Sequence, residues 1–419
     1  MRYKWGIIIL LIVVYPIHAK KKKKIWQGTL EYSNYNYMKN KDLKDSPRLW
    51  NELKFYPKIE YYPYDYLKLN IEFDIRKNFE LNERNNSGFK ELWFEIEYEI
   101  WSVKIGKQII EWGRTDTIKP GNVFNVKDVT DLIEGIDTGI PALKYAHYFG
   151  MHELEIVWVP VFIEDRLPYS EKNRWFFLPS TGDVIIDKSE MPEKDLKSPE
   201  IGTRFSFLGN GLDFAITAAK MYDRMPTYFL NKIENISPLV IRIYPYYRSI
   251  YTLGMDGAFN MFQCGLRSEL AYIFTEDMKS KKDEIDDPYV QWVSGIDRTF
   301  GRVYRDWVLV LLAQYALDKE LPVRGEENQD ESYAKLKHFY RQAGLVNAEI
   351  KFSEFNKFSI KSFQNLEKQD YLYQVEYIYK PQDTVEIKIG GDLPGGRKNG
   401  FFGYFDKNDR VRAGVKCYF

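Results

Sequence analysis

Residues 410–419 read R-V-R-A-G-V-K-C-Y-F, so that Val411, Ala413, Val415, Cys417 and Phe419 alternate with Arg410, Arg412, Gly414, Lys416 and Tyr418. Successive side chains of an extended strand point to opposite faces, which gives this stretch one face suited to an apolar medium and one suited to water. Its length falls in the range of about 9–11 residues that a tilted strand needs to cross a bilayer. Such a strand cannot stand alone in lipid. Its backbone N–H and C=O groups must find partners, and for strands only closure into a barrel supplies them all.

The same texture recurs along the chain. Period-two segments occur at residues 26–35, 53–62, 66–75, 91–101, 103–112, 152–161, 201–208, 212–222, 239–247, 250–261, 265–274, 290–300, 307–317, 343–352, 358–364, 371–379 and 385–391, separated by clusters of Asn, Gly, Asp, Pro and Lys. With the terminal strand these make eighteen segments. Even strand numbers are the rule in single-chain bacterial barrels, so the expected fold is all-β: a transmembrane antiparallel β-barrel of about 16 to 18 strands with a long inward-folded loop. In residues 91–100, Leu92, Phe94, Ile96, Tyr98 and Ile100 share one face, and Glu91, Trp93, Glu95, Glu97 and Glu99 share the other, where the acids must meet water or cations. Residues 307–317 are apolar on both faces.

Composition supports this reading and narrows the classes of function. After residue 18 no run of about 18 apolar residues remains, and mean hydropathy is −0.46, which excludes a helical membrane bundle. The chain holds 32 Tyr, 27 Phe and 10 Trp, as expected where aromatic rings line two membrane interfaces. Sixty basic residues balance sixty acidic ones, which leaves no electrostatic footprint for nucleic acid. A soluble β-protein rich in Tyr and Lys is the competing class.

Compartment follows from the other end. Arg2 and Lys4 precede an apolar stretch over 6–17, and Ala19 offers a small residue for cleavage, the order of a secretory signal. The expected organisation is a signal peptide over 1–19, a basic segment over 20–25 and the barrel over 26–419. Cys264 and Cys417 fall in expected strands, so neither a structural disulfide nor a metal site is expected of them.

Three stretches interrupt the ladder: 113–151, 164–200 and the charged 318–337. Connections this long are usually functional or disordered. The first follows I-G-K-Q-I-I-E-W and reads G-R-T-D-T-I-K-P-G-N-V-F-N-V-K-D-V-T-D-L-I-E-G from Gly113. Gly113 can adopt positive φ and turn the chain sharply after Trp112. Asp128 and Asp131 suggest a capped short helix over 129–134 closed by Gly135, and Asn125 can hold a turn through its side chain. Folded into the lumen, residues 113–151 would form a constriction or plug presenting Arg114, Asp116, Lys119, Asn125, Lys127, Asp128 and Asp131. Parity on neighbouring strands adds Arg204, Lys220, Arg242, Arg267, Glu269 and Arg298 as candidate lumen residues.

Here the chain resembles a largely uncharacterised, porin-like family of outer-membrane barrels of Gram-negative bacteria, marked by G-(R/K)-Q-x-x-x-W-G-x-x-D followed by N-P-x-D. Gly106, Lys107, Gln108, Trp112, Gly113, Asp116, Asn125 and Asp128 match, and Pro160, Arg166, Leu167 and Pro168 match the exit from the family's next strand. Val126 stands where the family has Pro. The terminal Phe419 similarly resembles the insertion signal read by the barrel-assembly machinery. The resemblance implies an outer-membrane location, contact with outer-membrane lipid and passage of a small-molecule solute, with a homo-oligomer left open.

An enzyme is not expected. The four histidines are His18, His147, His152 and His338, and no G-x-S-x-G, H-E-x-x-H or phosphate-cradling glycine loop occurs. No cofactor and no resident metal are expected. The leading function is passive passage of small hydrophilic solutes. One alternative is a barrel that moves lipid-like molecules with an inner-membrane transporter; another is a secreted or periplasmic β-sandwich binding protein.

Overall fold

The computed structural model describes residues 22–39, 46–178, 183–188, 192–193, 196–209, 211–236, 239–279, 285–321 and 338–419. The expected signal peptide lies outside the described residues, and residues 23–25 of the expected basic segment belong to the first strand.

Eighteen strands form one closed antiparallel sheet. In order around the barrel they are β1 (Lys23–Tyr37), β2 (Leu49–Tyr64), β3 (Leu67–Asn78), β4 (Asn86–Glu97), β5 (Trp101–Gln108), β8 (Ile140–Phe149), β9 (His152–Val159), β11 (Glu200–Leu208), β12 (Leu212–Tyr222), β15 (Ser249–Met261), β16 (Cys264–Phe274), β17 (Tyr289–Phe300), β18 (Val308–Glu320), β19 (Gln342–Lys351), β20 (Asn356–Asn365), β21 (Asp370–Gln382), β22 (Val385–Gly396) and β23 (Arg410–Tyr418). The skipped numbers are strands outside the wall: β6 (Val126–Asp128) with β7 (Ile136–Thr138), and a three-stranded sheet of β10 (Asp183–Ile186), β14 (Leu239–Tyr246) and β13 (Thr227–Ile236).

The terminal strand closes the ring. β23 runs antiparallel to β1 from Thr29 opposite Tyr418 to Tyr37 opposite Arg410. Beyond it, Phe419 exchanges backbone bonds with Gly28, N to O at 3.1 Å and O from N at 2.9 Å. Its ring stacks on Phe55 at 6.0 Å, over a space that a Cβ on Gly28 would fill. No edge remains at the seam, so no unpaired backbone faces lipid there.

Parity sorts each strand. Val411, Val415, Leu53, Ile75, Leu92, Phe94, Ile216 and Leu253 are exposed on the outer surface, whereas Glu52, Lys54, Asp74, Arg76, Arg204, Asp256 and Arg410 are buried inside. The barrel ends differ in the same way as those of outer-membrane barrels. At the end where β1 starts and β23 finishes, connections span two residues (65–66) to seven (301–307); at the other they include 109–139, 160–199 and 223–248. Rings gather at the short-turn end, where Tyr64, Tyr66, Tyr98 and Trp101 form a stack and Tyr304, Trp307 and Phe352 a second group. That is the aromatic girdle of a membrane interface.

Two expectations change. Residues 239–247 are not wall: β14 pairs with β10 and β13 beyond the long-loop end. In their place stands β8, drawn from the segment expected as loop, so the true insertion is 109–139. The reason is side-chain size. β8 carries Ala142 and Ala146 on its inner face and His147 on its outer face, which flattens the contrast that marks a barrel strand.

Candidate functional site

The insert 109–139 leaves β5, crosses the lumen and returns to β8. Its root is a small apolar core: Ile110, Trp112, Phe124 and Val126 pack on Val157, Val159, Ala219, Met221, Ile250, Ala271 and Ile273 of the inner wall. Gly202 makes room, since a Cβ there would meet Phe124 at 2.7 Å and Trp112 at 2.9 Å. Trp112 Nε1 donates to Glu155 at 2.8 Å. Asn125 accepts from Ile110 N at 2.8 Å and donates to Ile110 O at 2.9 Å, closing the neck, and within its own turn it donates to Asn122 Oδ1 at 2.8 Å.

From that root two arms reach different walls. Gly113 takes φ +95° and starts the first arm, which ends on Glu269 of β16. The Glu269 carboxylate accepts from the amides of Arg114, Thr115 and Gly121 and from the Thr115 hydroxyl, the last at 2.7 Å. Arg114 reaches Asp256 at 2.8 Å and Asp213 at 3.4 Å, and Asp256 also holds Arg204 through two bonds of 2.6 and 2.9 Å. Asp116 meets Arg267 at 2.9 Å, and Arg267 meets Asp297 at 2.6 Å.

The second arm turns toward β1–β3 and β22–β23. Asp128 receives Arg76 at 2.6 Å and Arg166 at 2.7 Å, and Arg166 continues to the backbone oxygens of Glu83 and Asn85. Asp131 sits between two buried arginines, Arg84 at 3.2 Å and Arg410. Arg410 is fully buried and also donates to Asp392 at 2.6 Å. Glu134 accepts from the Tyr35 hydroxyl at 2.6 Å and from Lys54 at 3.3 Å, and lies 3.7 Å from Arg412. Burial alone would raise the carboxyls of Asp128 and Glu134. Arg76 and Arg166 outweigh it at Asp128, as Lys54, Arg410 and Arg412 do at Glu134, so both are held below the usual carboxylate range. Asp165 is the contrary case. It accepts from Lys127 N at 2.8 Å, yet burial pushes its carboxyl up to about 7.

The expected helix over 129–134 is a series of bends. Asp131 does cap it in a local sense, accepting from Ile133 N at 3.0 Å and Glu134 N at 3.2 Å, but both arginines compete for the same carboxylate. Of the expected constriction residues, Asn125, Asp128 and Asp131 are buried in the fabric of the insert. Asp116, Lys119 and Lys127 face solvent, whereas Arg114 is half-buried against Asp256 and Asp213.

The expected lumen residues divide likewise. Arg204, Arg267 and Glu269 point inward. Lys220 shares the outward parity of Ile216 and lies over the Tyr251 ring; Arg298 shares that of Ile296 and lies over Phe300. Both sit at strand ends, where the outer surface passes from hydrocarbon to headgroup and charge becomes tolerable. Arg242 lies in the three-stranded sheet, paired with Asp187 and Glu234. Sequence reasoning missed Lys54, Arg76, Arg84, Glu134 and Arg412. For Arg410 and Arg412 the signal was present, because the alternation of the terminal strand already put them on the wet face.

Immediately turn-ward of the second arm is a cavity of about 220 Å³, lined among others by Glu31, Glu376, Lys388 and Arg412. Ser33, Gly390 and Gly414 leave it open on the β22–β23–β1 wall. A larger cavity of about 700 Å³ opens at the long-loop mouth between Glu83, Arg166, Tyr169, Asp187 and Tyr247.

An all-antiparallel closed ring with an apolar exterior, a charged interior and an inward insert defines a β-barrel of the Gram-negative outer-membrane type. Solved structures similar to it include three from Pseudomonas aeruginosa: OccK9 (OpdG), 8% identical with TM-score 0.53, covering 95% of this chain and 97% of that one; OpdQ, 8% and 0.51, covering 96% and 98%; and OccK5 (OpdH), 10% and 0.51, covering 95% and 98%. At such identities the likeness is one of fold. No protein-family model matches the chain, and no curated protein matches it.

Proposed function

We propose that the protein is a passive outer-membrane channel for small hydrophilic solutes, with the insert 109–139 as its constriction. The observation that carries this reading is the division of labour within the insert. Buried Asn125, Asp128 and Asp131 fix its course, while Asp116, Lys119 and Lys127 are left facing solvent. The solvent-facing lining carries both signs, through Arg267 and Asp297 on one wall and Lys388, Arg412, Glu31 and Glu376 on the other. Such a lining suits small polar solutes without strong preference for one ion sign.

The lipid-moving alternative needs a continuous apolar lane. Val308, Val310 and Leu312 of β18 form an inward apolar strip, but it is one strand wide: Val310 lies beside Thr299 and Glu349, and Leu312 beside Asp297 and Asn347.

Recordings in planar bilayers test the channel reading. Discrete steps with weak ion preference are expected, with Lys119→Glu moving the reversal potential toward cation preference; a barrel that conducts nothing overturns it. Phe419 is proposed as the assembly signal, and its deletion is expected to lower the yield of inserted, heat-modifiable protein. Undiminished insertion of the truncated chain would remove that role.

A further inference from the structure

The histidine farthest along the chain, His338, lies in a built cluster at the long-loop end. His338 precedes β19, Asp318 and Glu320 project inward from the last turn of β18, and Asp286 precedes β17. One donor atom from each of Asp286, Glu320 and His338 lies within 4.8 Å of the others. His338 Nε2 is 3.6 Å from Glu320 Oε1. That spacing leaves room for an ion that both atoms could ligate.

The surroundings orient these donors. His338 Nδ1 lies 3.0 Å from Asp318 Oδ1, and Gln291 Nε2 holds the other Asp318 oxygen at 2.9 Å. A carboxylate on one ring nitrogen fixes the tautomer and presents the other nitrogen as a lone-pair donor, the arrangement that supports metal-bound imidazoles. Arg341 takes Glu320 Oε2 at 2.9 Å and so turns Oε1 toward the histidine. Tyr289 packs edge-on against the imidazole at 4.9 Å and restricts its rotation. The His338 and Asp318 side chains are 2% and 0% exposed, so this is not a solvated surface group.

We infer that Asp286, Glu320 and His338 form a site for a divalent cation of the zinc class. One imidazole and two carboxylates suit Zn²⁺, which accepts three protein ligands with water in a fourth position. Calcium prefers an all-oxygen shell of six to eight ligands. The bound ion would tie the segment before β17, the end of β18 and the segment before β19 into one rim. This assignment is independent of the channel reading.

The test uses the full-length refolded barrel, stripped with chelator and titrated with Zn²⁺ or Co²⁺ alone. The expected result is one cation per chain, with a visible d–d band for Co²⁺. His338→Gln and Glu320→Gln should abolish binding while retaining heat-modifiable migration, and His147→Gln and His152→Gln should leave it unchanged. Asp318→Asn, which touches no ligand atom, should weaken binding by about 10–100-fold. A wild-type barrel that binds neither ion overturns the inference, and so does binding that survives both His338→Gln and Glu320→Gln. If one of those variants fails to fold, the other decides.

Discussion

At residues 113–121 a wall carboxylate, Glu269, is gathered by neutral groups of the insert while Arg114 and Asp116 pair separately with the wall, whereas at residues 128–134 the insert supplies the acids and the wall answers with arginines and a lysine. Glu269 gathers three backbone N–H groups and one hydroxyl. Asp131 and Glu134 instead enter a lattice of fixed charge that includes Arg84, Arg410, Arg412 and Lys54, itself tied to Glu52 and Asp392. The difference bears on what each arm can do. A nest of amides around one carboxylate can loosen donor by donor, with water replacing each bond. Removal of one member from a buried charge lattice leaves its partners uncompensated, so that arm holds or fails as a unit. The first arm is therefore the candidate for gating motion and the second for the fixed brace.

The largest effect is expected from the brace. Asp131→Ala leaves Arg84 and Arg410 facing each other without the carboxylate between them, and breaking a buried pair in this way costs about 3–5 kcal/mol. A lower urea midpoint for the refolded barrel and a larger single-channel conductance should appear together. An unchanged midpoint would mean that the second arm is not the brace. Glu269→Ala acts on the other side of the comparison. The freed donors are neutral, and the amides of Arg114 and Gly121 are only half-buried, so the loss should be smaller, about 1–3 kcal/mol. Its signature should be kinetic: more frequent transitions between conductance levels, with a smaller fall in the midpoint than Asp131→Ala gives. If this substitution destabilises more than Asp131→Ala, the assignment of the two arms is reversed.

Much of the wall was legible because alternation is a local property, and each strand reports its own faces. The seam between β23 and β1 follows from that alternation plus the need to leave no edge. Legibility failed where the environment stops being two-sided. β8 hides behind small inward residues, and β14 alternates well enough to pass for wall although both its neighbours belong to the mouth. At strand ends, Lys220 and Arg298 show that charge opposite an apolar face implies the lumen only at hydrocarbon depth. The insert was visible as a long gap with glycine and acids, but its partners were not. Asp131 meets Arg410 across 279 positions and Glu269 meets Arg114 across 155, separations at which no periodicity speaks.

A last and smaller effect separates the brace from its support. Asp165 holds the second arm through Lys127 N, and burial raises its carboxyl from the ordinary 3.8 to about 7. Between those values the folded barrel keeps the proton while the unfolded chain has released it. The folded state then binds more protons than the unfolded one, and stability falls as pH rises. The penalty is absent below about pH 4 and complete above about pH 7. Asp128 and Glu134 run the other way: their stabilising contribution is full above the usual carboxylate range and is lost only as pH falls through their depressed values. Between pH 5 and 6 those two are therefore silent, and Asp165 alone among the three should lower stability by up to about 1.4 kcal/mol per pH unit. Asp165→Asn keeps an oxygen for Lys127 N but has no proton to exchange. Urea midpoints of wild type and variant should draw apart as pH rises from 5 to 6, with the variant the more stable at the higher pH. Parallel curves across that interval would show that Asp165 does not hold its proton in the folded barrel there.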